Sequence, residues 1–108
     1  MYKRQQVPTD LSVDEAILAA RNVGLYTLVA LQDAIGSLDR VEQVVRTFGM
    51  VNAAPGFTEH PRVIDGFSNL FIDVFGEKGR GARSAVGMSS LPFNIPVEVE
   101  ITIKILAE

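Results

Sequence analysis

From Val97 to Ile105, the apolar residues Val97, Val99, Ile101, Ile103 and Ile105 alternate with Glu98, Glu100, Thr102 and Lys104. Successive side chains of a strand point to opposite faces, so this pattern predicts a strand with one face on a core and the other turned away from it. Such a strand needs apolar elements to cover it, and two helical patterns upstream supply them. Ser12-Val13-Asp14-Glu15 reads as a capping box, with Ser at the N-cap and Glu three residues on. Val13, Ala16, Ile17, Ala20, Gly24, Leu28, Leu31 and Ile35 then recur at helical steps, and Gly36 is placed to end the helix. Gly24 costs about 1 kcal/mol relative to Ala inside a helix. It either permits close packing or is simply tolerated, and the sequence leaves both open. A second helix starts at Pro61 and carries Val63, Ile64, Phe67, Leu70, Phe71, Val74 and Phe75 on one stripe, with Gly76 as its stop.

Between the helices, Val41 to Val51 is rich in β-branched residues and broken by Gly49, which predicts a buried strand ending in a bulge or bend. Asn52 to Gly56 reads as a turn. Glu77-Lys78-Gly79-Arg80-Gly81 reads as a mobile connection into a short strand, Ala82 to Met88, with Arg83, Ala85 and Gly87 on one face and Ser84, Val86 and Met88 on the other. Ser89 to Pro96, with two prolines, links strands. The expected class is α+β in the order αβαββ, two helices packed on one face of a mixed β-sheet whose other face is left open.

Composition narrows the chemistry. The 108 residues include no Cys and one His, which excludes a disulfide framework, a thiolate zinc site, a thiol nucleophile and a multi-histidine cage. No metal and no cofactor are expected. The net charge of −3 argues against nucleic acid as the main ligand. The apolar stretch from Val23 to Leu31 is interrupted by Gly24 and Thr27 and is far shorter than the ~20 residues of a membrane span. The first ten residues are polar, so a cytoplasmic protein without a membrane partner is expected.

Residues 1–9 read as a disordered N-terminus ahead of a single domain over residues 10–108. Read with a GTG start, Met1-Tyr2-Lys3-Arg4-Gln5 matches the translation of a transposon end used to prepare sequencing libraries. On that reading residues 1–5 are an adapter artefact, and the natural chain continues upstream with further strands.

Glu98 and Glu100 project from the face of the last strand opposite its apolar side, about 7 Å apart. That spacing suits acid/base work, and it equally suits charges that face water. Arg83, set among small residues, has room to fork onto a planar carboxylate. If its strand pairs with the last one, Arg83, Glu98 and Glu100 share the open face and form a minimal hydrolytic site. A salt bridge from Arg83 to a neighbouring Glu is the plainer possibility. Gly76-x-x-Gly79-x-Gly81 precedes a strand rather than a helix, unlike a phosphate cradle. His60 reads as a surface residue at a helix start, and Ser84, Ser89 and Ser90 have no evident triad partners.

Ala82-Arg83-Ser84-Ala85-Val86, then Leu91-Pro92, then Val97-Glu98-Val99-Glu100 resemble the Rid family, the reactive intermediate deaminases formerly called YjgF-like and often labelled endoribonuclease L-PSP. The resemblance extends back through Asp73-Val74-Phe75-Gly76-Glu77, Val51 to Phe57 and Leu38-Asp39-Arg40-Val41, and covers roughly residues 10–106. It implies a fold like that of the bacillus type of chorismate mutase, with N-terminal strands missing here, and a homotrimer whose ligand sites lie in clefts between subunits. In the founding branch the arginine matched by Arg83 holds the carboxylate of a 2-imino or 2-enamino acid. The glutamate matched by Glu98 handles the attacking water, and the backbone near Ala85 contacts the ligand. Asp65 stands where relatives often have a polar Asn, and its charge opposes an anionic substrate.

The resemblance thus implies hydrolytic deamination of 2-imino and 2-enamino acids to 2-oxo acids and ammonia. The alternative is a non-catalytic module that senses a small carboxylate in the same cleft. Ribonuclease activity follows only from the family label, against the acidic balance of the chain.

Overall fold

The computed structural model describes residues 4–107. The elements are α1 (Val13–Ile35), β1 (Val41–Asn52), α2 (His60–Phe75), β2 (Ala82–Met88) and β3 (Val97–Ile105), the expected αβαββ order. The capping box is formed at both bonds. Glu15 N–H donates to Ser12 Oγ and Ser12 N–H donates to Glu15 Oε1, each at 3.1 Å. At the other end of α1, Gly36 takes φ 87° and its N–H donates to Gln32 O at 2.8 Å.

β1 is the central strand, in the order β2-β1-β3. It runs parallel to β2, with Thr47 beside Arg83, and antiparallel to β3, with Met50 beside Glu98. The sheet is therefore mixed. The condition for Arg83 to share a face with the glutamates, pairing of β2 with β3, is not met, because β1 lies between them. The link from α2 into β2 gives the parallel partner of β1, and β3 returns along its opposite edge.

Both helices cover one face. Ala16, Ala20 and Leu28 of α1, Val63, Ile64, Phe67, Leu70 and Phe71 of α2, and Val44, Val51 and Val97 of the sheet form one buried cluster. Phe67 and Phe71 stack with ring centroids 4.5 Å apart. Burying side chains of this size contributes about 1.5–3 kcal/mol each before entropy is counted. The helices approach closely at two glycines. A Cβ on Gly24 would lie 2.8 Å from the Leu70 side chain, and one on Gly66 would run into the Ile17 carbonyl. Gly24 therefore permits close packing.

Gly49 has the same role against α2, since a Cβ there would lie 2.5 Å from Ile64. The irregularities of β1 lie instead between Val41 and Gln43 and between Val44 and Arg46. The bulge expected at Gly49 is thus displaced toward the strand's start. The connection at residues 77–81 is also more ordered than expected, with a short 3-10 turn over Gly76–Gly79 and Gly79 buried.

The expected disorder of residues 1–9 does not extend to Val7. This residue is fully buried, its N–H donates to Asn52 O at 2.8 Å and its carbonyl accepts from Ala54 N–H at 2.8 Å. An apolar side chain that reaches a core pocket gains burial that a loose terminus lacks. Residues 1–3, most of the adapter-like pentapeptide, lie outside the described residues. Among the described residues no helix is long and apolar enough to cross a membrane.

Candidate functional site

Arg83 is the second residue of β2. Beside Thr47 in the parallel ladder, its side chain lies on the helix-covered side of the sheet and reaches α2. There Nη1 donates to Asp65 Oδ1 at 2.7 Å and to Ser68 Oγ at 3.3 Å. Both bonds use one nitrogen. Among the described residues, Nε and Nη2 of Arg83 and Oδ2 of Asp65 have no hydrogen-bond partner.

A cavity of about 280 Å³ opens at this pair, lined by Thr47, Asp65, Ser68, Asn69, Ile72, Arg80 and Arg83 over the glycines Gly79 and Gly81. Asp65, Ser68, Asn69 and Ile72 fall on one stripe of α2, at steps of three and four residues, which aims them at the same side. The floor is low because the chain has no Cβ atoms there. On Gly79 one would meet the Phe71 carbonyl, and on Gly81 the Val44 carbonyl. These two glycines thus bring backbone close to backbone beneath the cavity.

The Arg83 side chain is 29% exposed and that of Asp65 48%, so their ion pair is reachable by water and by a small ligand. Arg80, at the rim, pairs with Glu77 at 3.3 Å. The lining therefore holds Arg80, Arg83 and Asp65, with Glu77 outside it as the partner that offsets Arg80. Exposed pairs of this kind contribute about 0–1 kcal/mol.

Glu98 and Glu100 lie elsewhere. Val97 and Val99 turn to the core, so the two glutamates project from the open face, beside Met50 and Phe48. They make no ion pair with any described residue. Arg46 occupies that face too, donating to Ser84 Oγ at 3.2 Å with its guanidinium 5.1 Å from the Phe48 ring centroid. Arg83 therefore does not share this face with Glu98 and Glu100, the arrangement that depended on β2 pairing with β3. Side chains alternate along β1, so Thr47 and its neighbour Arg83 lie on one side while Met50 and its neighbour Glu98 lie on the other. The partner of Arg83 is Asp65 rather than a neighbouring Glu.

Ala85 sits beside Gly49, half-buried against the core. His60 opens α2, with its ring edge-on to Phe57 at 5.3 Å. Among the described residues no group of three His, Cys, Asp or Glu could hold a metal ion. Sequence reasoning singled out Arg83 and Asp65 but missed Thr47, Ser68, Asn69 and Arg80. A polar stripe at 65, 68 and 69 on an otherwise apolar helix was the available signal for two of them.

A family model described as "YjgF/chorismate mutase-like, putative endoribonuclease" matches residues 1–104. Protein TCP17 of Trypanosoma cruzi is 44% identical over 101 residues, covering 93% of this chain and 63% of that protein. A protein of unknown function from Agrobacterium tumefaciens has 39% identity and a TM-score of 0.92, over 95% of this chain and 66% of its own. A "putative endoribonuclease" from Shewanella oneidensis has 31% identity and a TM-score of 0.88, over 97% of this chain and 69% of its own. The chain thus spans about two thirds of the length of these relatives.

Proposed function

Since the chain belongs to the YjgF/chorismate mutase-like family, whose model matches residues 1–104, we propose that the protein hydrolyses reactive 2-imino and 2-enamino acids to 2-oxo acids and ammonia. The observation that carries this reading is the Arg83 guanidinium at a small cavity with Nε and Nη2 unengaged by the described residues. A planar fork of donors matches a substrate carboxylate in two bonds and fixes its orientation. Water adds to the imine carbon, and the resulting carbinolamine loses ammonia to leave the 2-oxo acid. The reaction needs a held substrate and a group that handles a proton on water, and no redox step.

Glu98 supplies that group in this reading. Within one chain it lies on the opposite side of the sheet from Arg83, so a site that combines them takes Glu98 from a second copy. The open sheet face, with half-buried Phe48 and Val86 beside Met50, suits packing against another subunit, in keeping with a homotrimer. In this reading the backbone at Ala85, two residues beyond Arg83 on β2, borders the same ligand. No cofactor takes part, and the cytoplasm is the proposed setting for a chain without cysteine.

A second reading is favoured by Asp65, whose carboxylate occupies Nη1 of Arg83. It is the non-catalytic sensing of a small carboxylate in the same cleft. Hydrolysis of 2-iminobutanoate generated in situ separates the two. Turnover that disappears in Arg83→Ala and falls in Glu98→Gln supports the deaminase, whereas saturable binding of 2-oxobutanoate without turnover supports sensing.

A further inference from the structure

The cavity presents two half-used charged groups side by side. Arg83 offers Nε and Nη2, and Asp65 offers Oδ2, while their mutual bond of 2.7 Å keeps the charges adjacent. A ligand that carries only a negative charge gains from the guanidinium and loses to the carboxylate next to it. A ligand that carries a carboxylate and a cationic nitrogen on the adjoining carbon meets an opposite charge at each end. Arg80 does little to tilt the balance toward anions, because Glu77 pairs with it at 3.3 Å.

We propose that Asp65 makes this cavity selective for zwitterions, 2-iminium and 2-amino acids, over plain 2-oxo acids. The inference rests on the carboxylate-clamp reading of Arg83 and adds to it a specificity-determining residue. The carboxylate engages Nε and Nη2 of Arg83, and an N–H of the cationic nitrogen donates to Oδ2 of Asp65. Ser68 and Asn69, on the same stripe of α2, supply neutral polar groups around the nitrogen. In a deaminase the consequence is directional. The protonated imine is the form most open to attack by water, and Asp65 stabilises that form. Loss of ammonium removes the cation, so the 2-oxo acid faces Asp65 uncompensated and leaves.

The test is calorimetric titration of the full chain with L-2-aminobutanoate and with 2-oxobutanoate, near neutral pH, for the unaltered protein, Asp65→Asn, Asp65→Ser and Arg83→Ala. The expected result is a preference for the amino acid of about tenfold or more, which corresponds to about 1.4 kcal/mol. Both Asp65 variants lose or reverse that preference, and Arg83→Ala binds neither ligand. Equal affinities in the unaltered protein, a preference for the oxo acid, a preference that survives both Asp65 substitutions, or no binding of either ligand would each overturn the inference. Failure of selectivity while iminobutanoate turnover still depends on Arg83 removes the role of Asp65 alone. An Asp65-dependent preference without turnover removes the deaminase and leaves the selective site.

Discussion

Arg83 of β2 and Asp65 of α2 are joined by a 2.7 Å bond across the gap between sheet edge and helix, although 18 positions separate them in the chain. The pair lies at the mouth of the cavity and stays open to solvent. It links a strand whose residues around Arg83 are small to a helix whose apolar stripe is core.

Removing this pair is expected to leave stability almost unchanged. Both side chains are solvent-accessible, and exposed ion pairs contribute about 0–1 kcal/mol. Chemical denaturation of Arg83→Ala should therefore give a midpoint close to that of the unaltered protein, so that lost binding reports on the site. A large loss of stability would mean that the pair holds β2 to α2.

Gly66→Ala is expected to destabilise the protein by about 1–3 kcal/mol, the usual range for forcing atoms into a filled interface. The added Cβ would meet the backbone carbonyl of Ile17, which cannot rotate away as a side chain could. Thermal melts of Gly66→Ala beside Gly36→Ala check the mechanism. A Cβ on Gly36 meets nothing within 4 Å, and its penalty comes from φ 87° alone.

The start of α1 should report on acid pH. The backbone hydrogen bond from Ser12, followed by the bond to its hydroxyl, holds the Glu15 carboxyl below its ordinary value of 4.5. A carboxyl lowered in the folded state adds stability above its unfolded pKa and loses it as pH falls through the folded value. Glu15→Gln should therefore flatten the acid limb of a stability-versus-pH curve by lowering its neutral end slightly, while leaving its acid end little changed. Ser12→Ala should cost about 1 kcal/mol through the lost cap.

If the site is completed by a second copy, two inactive variants should rescue each other. Arg83→Ala retains Glu98, and Glu98→Gln retains Arg83, so mixed assemblies regain sites in which each copy provides the intact half. Random mixing of equal amounts restores roughly a quarter of the sites in a closed cyclic oligomer. Co-refolded mixtures assayed with 2-iminobutanoate give the answer. No recovery in a confirmed mixed oligomer would place both residues' roles within one chain.

The elements were legible in the sequence because each rests on local periodicity. The alternation in β3, the capping box of α1 and the apolar stripe of α2 need only neighbours within a few residues. Gly49 shows where that reasoning ends. From the sequence it marks a bulge, yet its cause is the side chain of Ile64, fifteen positions on. Val7 is the opposite case, an apolar residue in a polar leader whose burial depends on a groove formed by β1 and its end.

By itself the sequence determined the five elements, their order, the covered face of the last strand and the singular position of Arg83 among small residues. Tertiary structure alone decided that β1 stands between β2 and β3, that Arg83 turns to α2 and Glu98 to the open face, and that Asp65 and Ser68 meet one nitrogen of the guanidinium. The physical reason is that periodicity fixes the face a side chain takes relative to its own strand. Which strands pair, and therefore which faces coincide, is set by hydrogen bonds and burial between residues far apart in the chain.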